Sequence, residues 1–281
     1  MASVITSVAS VVSVFFYKVI IYFLKPADGC YPPVAQKSVF YRPYSAKMAY
    51  PYFYISSLDS TQKQCILDEA TSKHVVQVLR MTAGERLNLT DGRGHIAEAV
   101  IKEAHKKHCL VDLQKINFFE APVRKVTIAI SLIKNPSRFE WFLEKATEIG
   151  VTQIIPLFCE RTEKEKFRLD RMQTLCVSAM LQSQQCWLPL LNEPASFKQL
   201  IELTQDSQKF IAHCENTGEK LHLSSVKSPH PSVILIGPEG DFTPAEIRLA
   251  MDHQYIAVSL GETRLRTETA GVVAAVLLCT E

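Results

Sequence analysis

Two strings in the last quarter of the chain constrain its fold more than any other feature. LIGPEGDFTPAEI at 235–247 and VSLGETRLRTETA at 258–270 each run from an apolar strand through a glycine loop into a helix. Val233 to Ile236 is a short unbroken apolar run, the pattern of a strand covered on both faces rather than half-exposed. After Gly237-Pro238-Glu239-Gly240, Thr243 is placed to cap a helix. Pro244 suits its first position, where an N–H would have no partner, and Glu246 can close a capping box. Ile247, Ala250 and Met251 recur at the spacing of a buried helix face. Ile256 to Val258 forms a further apolar strand and Leu260-Gly261 opens its loop. Thr267 is expected to cap a last helix, running through Ala270 to Leu278, that is apolar nearly all round and therefore core.

A glycine loop alone needs no function beyond connecting a strand to a helix. Two of them at strand ends of an α/β sheet say more, because that is where exposed N–H groups and missing side chains let a ligand reach the backbone. Neither string fits G-x-G-x-x-G or G-x-x-x-x-G-K-[ST], so the usual dinucleotide and phosphate cradles are not supported.

The strings GPEGDF and LGETRLRTETA resemble the signature of the RsmE-type ribosomal RNA methyltransferases, a branch of the SPOUT superfamily of trefoil-knotted enzymes. Upstream, His74-Val-Val-Gln-Val-Leu-Arg80, FLEKATEIGVTQIIP at 142–156 and the stretch from Gln182-Ser183 to Pro189 extend the resemblance, which runs from about 48 to 281. It implies a mainly parallel α/β fold, a trefoil-knotted SPOUT methyltransferase domain at 124–281, preceded by a small PUA-like RNA-binding β-barrel at 48–120. It also implies methyl transfer from S-adenosyl-L-methionine to N3 of a uridine in small-subunit (16S) ribosomal RNA. The enzyme would be a cytoplasmic homodimer acting on that RNA or on the assembled small subunit. Carried onto this chain, the cofactor would meet Ile236, Gly237, Pro238, Glu239, Gly240, Leu260, Gly261, Leu265 and Thr267. RNA would meet His74, Arg80 and Arg264, and catalysis would fall to Arg266 and Glu268. Two positions depart from the family pattern: Asp241 stands where a second glycine is common after GPEG, and Gln185 where an arginine is usual.

The chemistry of the transfer gives these residues roles. Uridine N3 carries a proton at neutral pH, so the enzyme must help remove it or stabilise the anion left behind. Arg264 and Arg266, beside the second loop, can stabilise negative charge on the uracil oxygens or grip a phosphate. Glu268 can serve as base or orient one, although a carboxylate in a first helical turn is favoured by the helix dipole whatever its function. Competing readings are an RNA-binding module of the same fold without catalysis, and a nucleotide-using α/β enzyme of other chemistry. The intact GPEG and RLRTETA strings weigh against the first, the missing phosphate motifs against the second.

The rest of the chain sets bounds. Its 281 residues predict two domains, each long enough to bury a core. The formal net charge is only +2, so an RNA partner needs a local basic surface. Candidates are Lys102, Lys106 and Lys107 with His105 and His108, and Arg161, Lys164, Lys166, Arg168 and Arg171, the latter diluted by Glu163, Glu165 and Asp170. Eight cysteines without a C-x-x-C pair, and no histidines at ligand spacing, argue against a metal site and for reduced thiols. Glu140, Glu144 and Glu148 share a helix face and read as a solvated stripe.

Val4 to Leu24 is close to the roughly 20 apolar residues that span a bilayer, yet Lys18 breaks it and its flanks make a poor signal peptide. Because the resemblance begins at about Met48, residues 1–47 are expected to lie outside the fold; a genuine segment there would be a membrane anchor or a targeting segment. Beyond it, Tyr50–Ile55, Arg86–Thr90 and Ile96–Ile101 read as strands with a hairpin at Asp91-Gly92, and Lys73–Arg80 as a short helix with Val75, Val76 and Leu79 inward. Asn117 to Val123 reads as a linker. Val126–Ile133 and Ile154-Ile155 follow as strands, with helices from Phe139 and over Leu169–Gln185.

Overall fold

The structure, a computed structural model, describes residues 50–280 apart from 60, 164–165, 205–207 and 216–219. The expectations for 1–47 and for Lys164 and Glu165 therefore lie outside the described residues. Two sheets organise the chain from Tyr50 onward, in the mixed α/β class that the sequence implies.

The first sheet has five strands: β1 Tyr52–Tyr54, β2 Gln64–Ile66, β3 Arg86–Thr90, β4 His95–Glu103 and β5 Leu110–Phe118, in the order β1-β3-β4-β5-β2. Pairing is antiparallel except between β1 and β3. Alternation in β3 and β4 turns Leu87, Leu89, Ala97, Ala99 and Ile101 into one closed apolar core with Phe53, Leu67, Val75 and Val111. Asn117 and Phe118 finish β5 rather than beginning a linker.

Between β2 and β3 lies α1, Glu69–Lys73, capped by Asp68, and it passes into a π turn, His74–Val78. The expected inward set holds only in part. Val75 is fully buried, but Leu79 is 44% exposed. The cause is local: the Leu79 N–H donates to the His74 carbonyl five residues back, and the widened turn rotates Leu79 off the face an α-helix would have given it.

The second sheet is parallel throughout. β6 Val126–Ser131 precedes α2 Pro136–Ile149 and β7 Gln153–Phe158; α3 Leu169–Gln182, β8 Leu190–Leu191, β9 Ala195–Ser196 and α4 Phe197–Leu203 come next. Then come β10 Gln208–Ala212, β11 Leu221–His222, α5 Leu223–Val226, β12 Ser232–Ile236, α6 Pro244–Asp252, β13 Ile256–Ser259 and α7 Thr267–Cys279. Strand order is β11-β13-β10-β12-β6-β7-β8, with β9 also on β7. Every β12 residue is buried, as an unbroken apolar run in a doubly covered strand requires.

One core joins Ile128, Ile130 and Ile234 of the sheet to Phe142 and Leu143 of α2 and to Ala274, Ala275 and Leu278 of α7. Burying such a leucine or isoleucine contributes about 1.5–3 kcal/mol. Helix α7 can press so close because it carries Gly271: a Cβ there would stand 2.6 Å from the Phe142 ring. Helix α3 ends at Gln182, earlier than the periodicity suggested, because Gln184 turns to a φ of 56°. The freed Gln185 amide donates to the Thr147 and Glu148 carbonyls at 3.0 and 2.9 Å, capping the end of α2.

Candidate active site

Register makes the site. Ala212 of β10 is level with Ile236 of β12 and Val258 of β13, so three adjacent parallel strands release their chains at the same edge. The loops that leave them surround a cleft of about 790 Å³. This is where open α/β sheets bind ligands, and the size falls within the range of small-molecule sites.

Of the residues singled out from sequence, Ile236, Gly237, Pro238 and Glu239 line the cleft from the first loop; Leu260, Gly261, Arg264, Leu265, Arg266 and Thr267 line it from the second. Gly261 holds a φ of +144°, and no atom lies within 4 Å of where its Cβ would be, so the cleft wall is bare backbone there. Glu239 fixes its loop by accepting the Lys134 N–H at 3.1 Å. Gly240 is not part of the wall: its carbonyl takes the Arg161 guanidinium at 2.7 Å, and its Cβ position faces the same side chain. Thr267 is buried as the first residue of α7, whose cap is Arg266. The expected threonine cap is displaced by one because Arg266 already has the extended backbone, with φ −71° and ψ 156°, that a cap position needs.

Glu268 sits apart from the main cleft. With Ser137, Arg138, Trp141, Arg266 and Thr269 it lines a neighbouring pocket of about 310 Å³ between the first turns of α2 and α7. Its side chain is 8% exposed, its Oε1 lies 3.7 Å from Arg138 Nε, and its Oε2 is buried without a hydrogen-bond partner. Arg138 and Arg266 line both cavities and so connect them. His74 and Arg80 lie between β2 and β3, on and just after the π turn; both are exposed, and neither lines the cleft.

Sequence reasoning missed the third loop. His213, Cys214 and Lys220, after β10, complete the cleft. The apolar run Phe210-Ile211-Ala212 ahead of them was the available signal, but it is short and its partners are distant in sequence. Both ring nitrogens of His213 are buried without a partner, and burial, helped by the Lys220 ammonium, holds the imidazole below its ordinary range against Asp241 and Glu215. It is a neutral group with unused hydrogen-bonding capacity. Asp241 ties this loop to the first: its Oδ2 accepts the Cys214 N–H at 2.7 Å and its Oδ1 the Phe242 N–H at 2.8 Å. Beneath them the Cys159 thiol is pushed up to about 12 by burial, with the Glu246 charge adding to it, so it stays protonated. No group of three or more His, Cys, Asp or Glu among the described residues could hold a metal ion. No helix among them is long and apolar enough to cross a membrane.

A parallel sheet with a glycine-lined cleft at its strand ends and exposed arginines beside it is the frame of a small-ligand site, and comparison with known proteins says which class of protein carries it here. The family model described as an RNA methyltransferase domain matches residues 119–279, and that of an RNA methyltransferase PUA domain matches 67–114. The chain is 31% identical over 216 residues to the ribosomal RNA small subunit methyltransferase E of Bacillus subtilis, covering 72% of this chain and 84% of that one. Among solved structures, a probable rRNA-methyltransferase from Porphyromonas gingivalis is 38% identical with a TM-score of 0.74, covering 80% of this chain and 95% of that one. A ribosomal RNA small subunit methyltransferase E from Neisseria gonorrhoeae bound to S-adenosyl methionine gives 28%, 0.72, and the same coverage. The chain belongs to the ribosomal RNA small subunit methyltransferase E family.

Proposed function

We propose that the protein methylates N3 of a uridine in small-subunit ribosomal RNA with S-adenosylmethionine. It acts in the cytoplasm as a homodimer on the RNA or the assembled subunit. The observation that supports this most is the convergence of three strand-end loops on one cleft whose wall has no side chain at Gly261 and whose His213 has both ring nitrogens unused. A small polar ligand with an adenosine-like set of donors and acceptors fits those features. When bound, S-adenosylmethionine supplies an electrophilic methyl group.

The chain's own residues do the rest. Ile236, Gly237, Pro238, Glu239, Leu260, Gly261, Leu265 and Thr267 form the walls that fix the donor against the acceptor, and such placement can supply most of the rate gain. Glu268, with one carboxylate oxygen free, takes the N3 proton. Arg266, exposed at the mouth, stabilises the negative charge that develops on the uracil. Arg264 at the mouth, with His74 and Arg80 on and just after the π turn, holds the RNA strand. The dimer reading rests on α7, which has no polar residue from Ala270 to Cys279 and yet leaves Val276 41% exposed.

The test is direct: incubate the protein with small-subunit RNA and S-adenosylmethionine, digest to nucleosides and identify them by mass spectrometry. N3-methyluridine is the expected product. A methyl group on another base or on ribose, or none, overturns the reading.

A further inference from the structure

We propose that Arg161, which does not line the cleft, is a positioning residue for the cofactor: it holds the Gly240–Asp241 peptide in the orientation that joins two of the loops around the cleft. This rests on the S-adenosylmethionine reading above and adds what sets the shape of its site. Arg161 lies in the loop after β7 and is exposed. Its Nη1 donates to the Gly240 carbonyl at 2.7 Å, and its stem packs on the bare side of Gly240, where a Cβ would stand 3.4 Å from Arg161 Cδ. The loop that carries it is tied down on both sides. The Glu160 N–H donates to Glu246 Oε1 at 2.8 Å, the Cys159 N–H donates to Thr162 Oγ1 at 2.9 Å, and that hydroxyl lies 2.8 Å from Ser131 Oγ.

A peptide group is planar, so whatever fixes its carbonyl also fixes its N–H. Here the N–H is that of Asp241, and it donates to the Pro238 carbonyl at 2.9 Å, closing the turn that follows β12. The same orientation gives Asp241 a φ of 63°, in the region that residues with a Cβ avoid. Turning the peptide over would relieve that strain, and Gly240 before it has no side chain to resist the rotation. Arg161 opposes it: the reversed peptide would aim an N–H at the guanidinium in place of a carbonyl, leaving two donors face to face. Pro238 and Asp241, the two ends of the turn, both line the cleft, and Asp241 Oδ2 accepts the Cys214 N–H at 2.7 Å. The setting of one peptide thereby reaches the loop after β10 as well. Arg161 and Gly240 are both exposed, so loss of the guanidinium leaves no buried charge or carbonyl behind, and its effect falls on loop shape rather than on folding.

The experiment compares the full-length parent with Arg161→Met, Arg161→Lys, Asp241→Gly and the double variant Arg161→Met with Asp241→Gly. Methionine keeps an apolar stem over Gly240 and loses the donors. Two readouts are taken: calorimetric affinity for S-adenosylmethionine, and amide hydrogen exchange at Cys214 and Asp241 in the protein without cofactor. Arg161→Met should weaken binding by roughly five- to thirtyfold, the factor that corresponds to the strain of one residue at positive φ. Both amides should exchange faster, with a denaturant midpoint near the parent's. Single-turnover methylation at saturating cofactor should stay within a few-fold, because the loss is in binding rather than in the chemical step. Lysine, a cation without the planar fork, should restore part of the affinity. Glycine at 241 removes both the strain and the tie, so the double variant should bind no more weakly than Asp241→Gly alone.

An Arg161→Met protein that binds S-adenosylmethionine like the parent, or exchanges the two amides at the parent's rate, overturns the assignment. Effects that add in the double variant overturn it too, as does a loss of affinity matched by a lower denaturant midpoint, since either marks a separate contribution to folding. If Arg161→Met keeps both readouts but binds small-subunit RNA less tightly, Arg161 is a phosphate contact instead, the role its place in a basic cluster suggests. If the parent itself binds no S-adenosylmethionine, the cofactor reading is the one that fails, and the two amides in the cofactor-free protein still decide whether Arg161 sets the loop.

Discussion

Asp241 holds a backbone angle, φ 63°, that a glycine would adopt freely, at the position where the sequence pattern leads one to expect glycine. The cost of that angle is about 1–2 kcal/mol. It is offset by two hydrogen bonds to a carboxylate, from Cys214 N–H and Phe242 N–H, each contributing about 1.5–3 kcal/mol. Asp241→Gly should therefore lower stability, by about 1–5 kcal/mol, rather than raise it. It should also weaken S-adenosylmethionine binding, because the β10 loop loses its tie; a denaturant midpoint and a calorimetric titration measure the two effects. The departure was visible in the sequence, but its partner was not, since Cys214 lies 27 residues away and only the sheet brings it close. Arg266 was legible because it stands inside the motif. Arg266→Ala should slow single-turnover methylation at least roughly tenfold, about 1.4 kcal/mol in the barrier, with cofactor affinity within a few-fold. A cation interacts more strongly with uracil that has lost its N3 proton than with the neutral base, so the barrier moves more than the binding. Lysine should restore only part, having charge without the planar fork of donors. Unchanged turnover would return Arg266 to the surface.

At the scale of elements, α6 shows what a sequence states outright. Thr243 and Glu246 close the capping box they were expected to form, with the Thr243 N–H donating to Glu246 Oε2 at 2.8 Å. What no local pattern could state is that the other carboxylate oxygen, Oε1, accepts the Glu160 N–H at 2.8 Å and so joins the start of α6 to the loop after β7. Glu246→Ala should cost about 2–3 kcal/mol, more than an ordinary cap, because a buried backbone donor at Thr243 and a part-buried one at Glu160 lose their acceptor. A urea midpoint beside that of Thr243→Ala, expected at about 1 kcal/mol, checks the difference. The loop after β10 makes a different prediction. The imidazole of His213 is depressed in the fold, so below its ordinary range of about 6.5 the unfolded chain binds more protons than the folded one. The stability it contributes is complete above that range and is lost as pH falls through the depressed value. His213→Gln, which cannot titrate, should show a shallower loss between about pH 7 and pH 5 in urea midpoints. An identical acid limb would remove His213 as its cause. The π turn was illegible for a related reason: the sequence of His74–Val78 suits an α-helix, and only its packing under the first sheet shows the wider turn.

Across the whole molecule, the two sheets are held together by backbone. The Gly94 N–H donates to the Cys186 carbonyl at 2.8 Å and the Leu188 N–H to the Gly92 carbonyl at 2.9 Å, so the turn between β3 and β4 is tied to the segment between α3 and β8. The alternation of β3 and β4 and the unbroken runs of β6 and β12 announced two sheets. Strands β8, β9 and β11, two residues each, have no period to detect and exist only because the sheet edge is there to pair with. We propose that basic residues of the first domain act as a handle for RNA beside the chemistry. With a net charge of only +2, that handle must be local. Lys106 and Lys107 stand exposed beside His105 and His108, whose rings stack at 3.7 Å, and neither lysine has an ion pair among the described residues. Reversing both, Lys106→Glu with Lys107→Glu, should weaken small-subunit RNA binding several-fold at low salt. It should also flatten the slope of log K against log salt by about 1–2, because each phosphate contact releases roughly 0.7–0.9 of a counterion. S-adenosylmethionine affinity should not move, since neither residue lines the cleft. Filter binding across a salt series beside calorimetry of the cofactor decides it. An unchanged slope would place the RNA track elsewhere on the sheet, and a fall in cofactor affinity would mean that the two sheets are coupled more closely than their backbone junction implies.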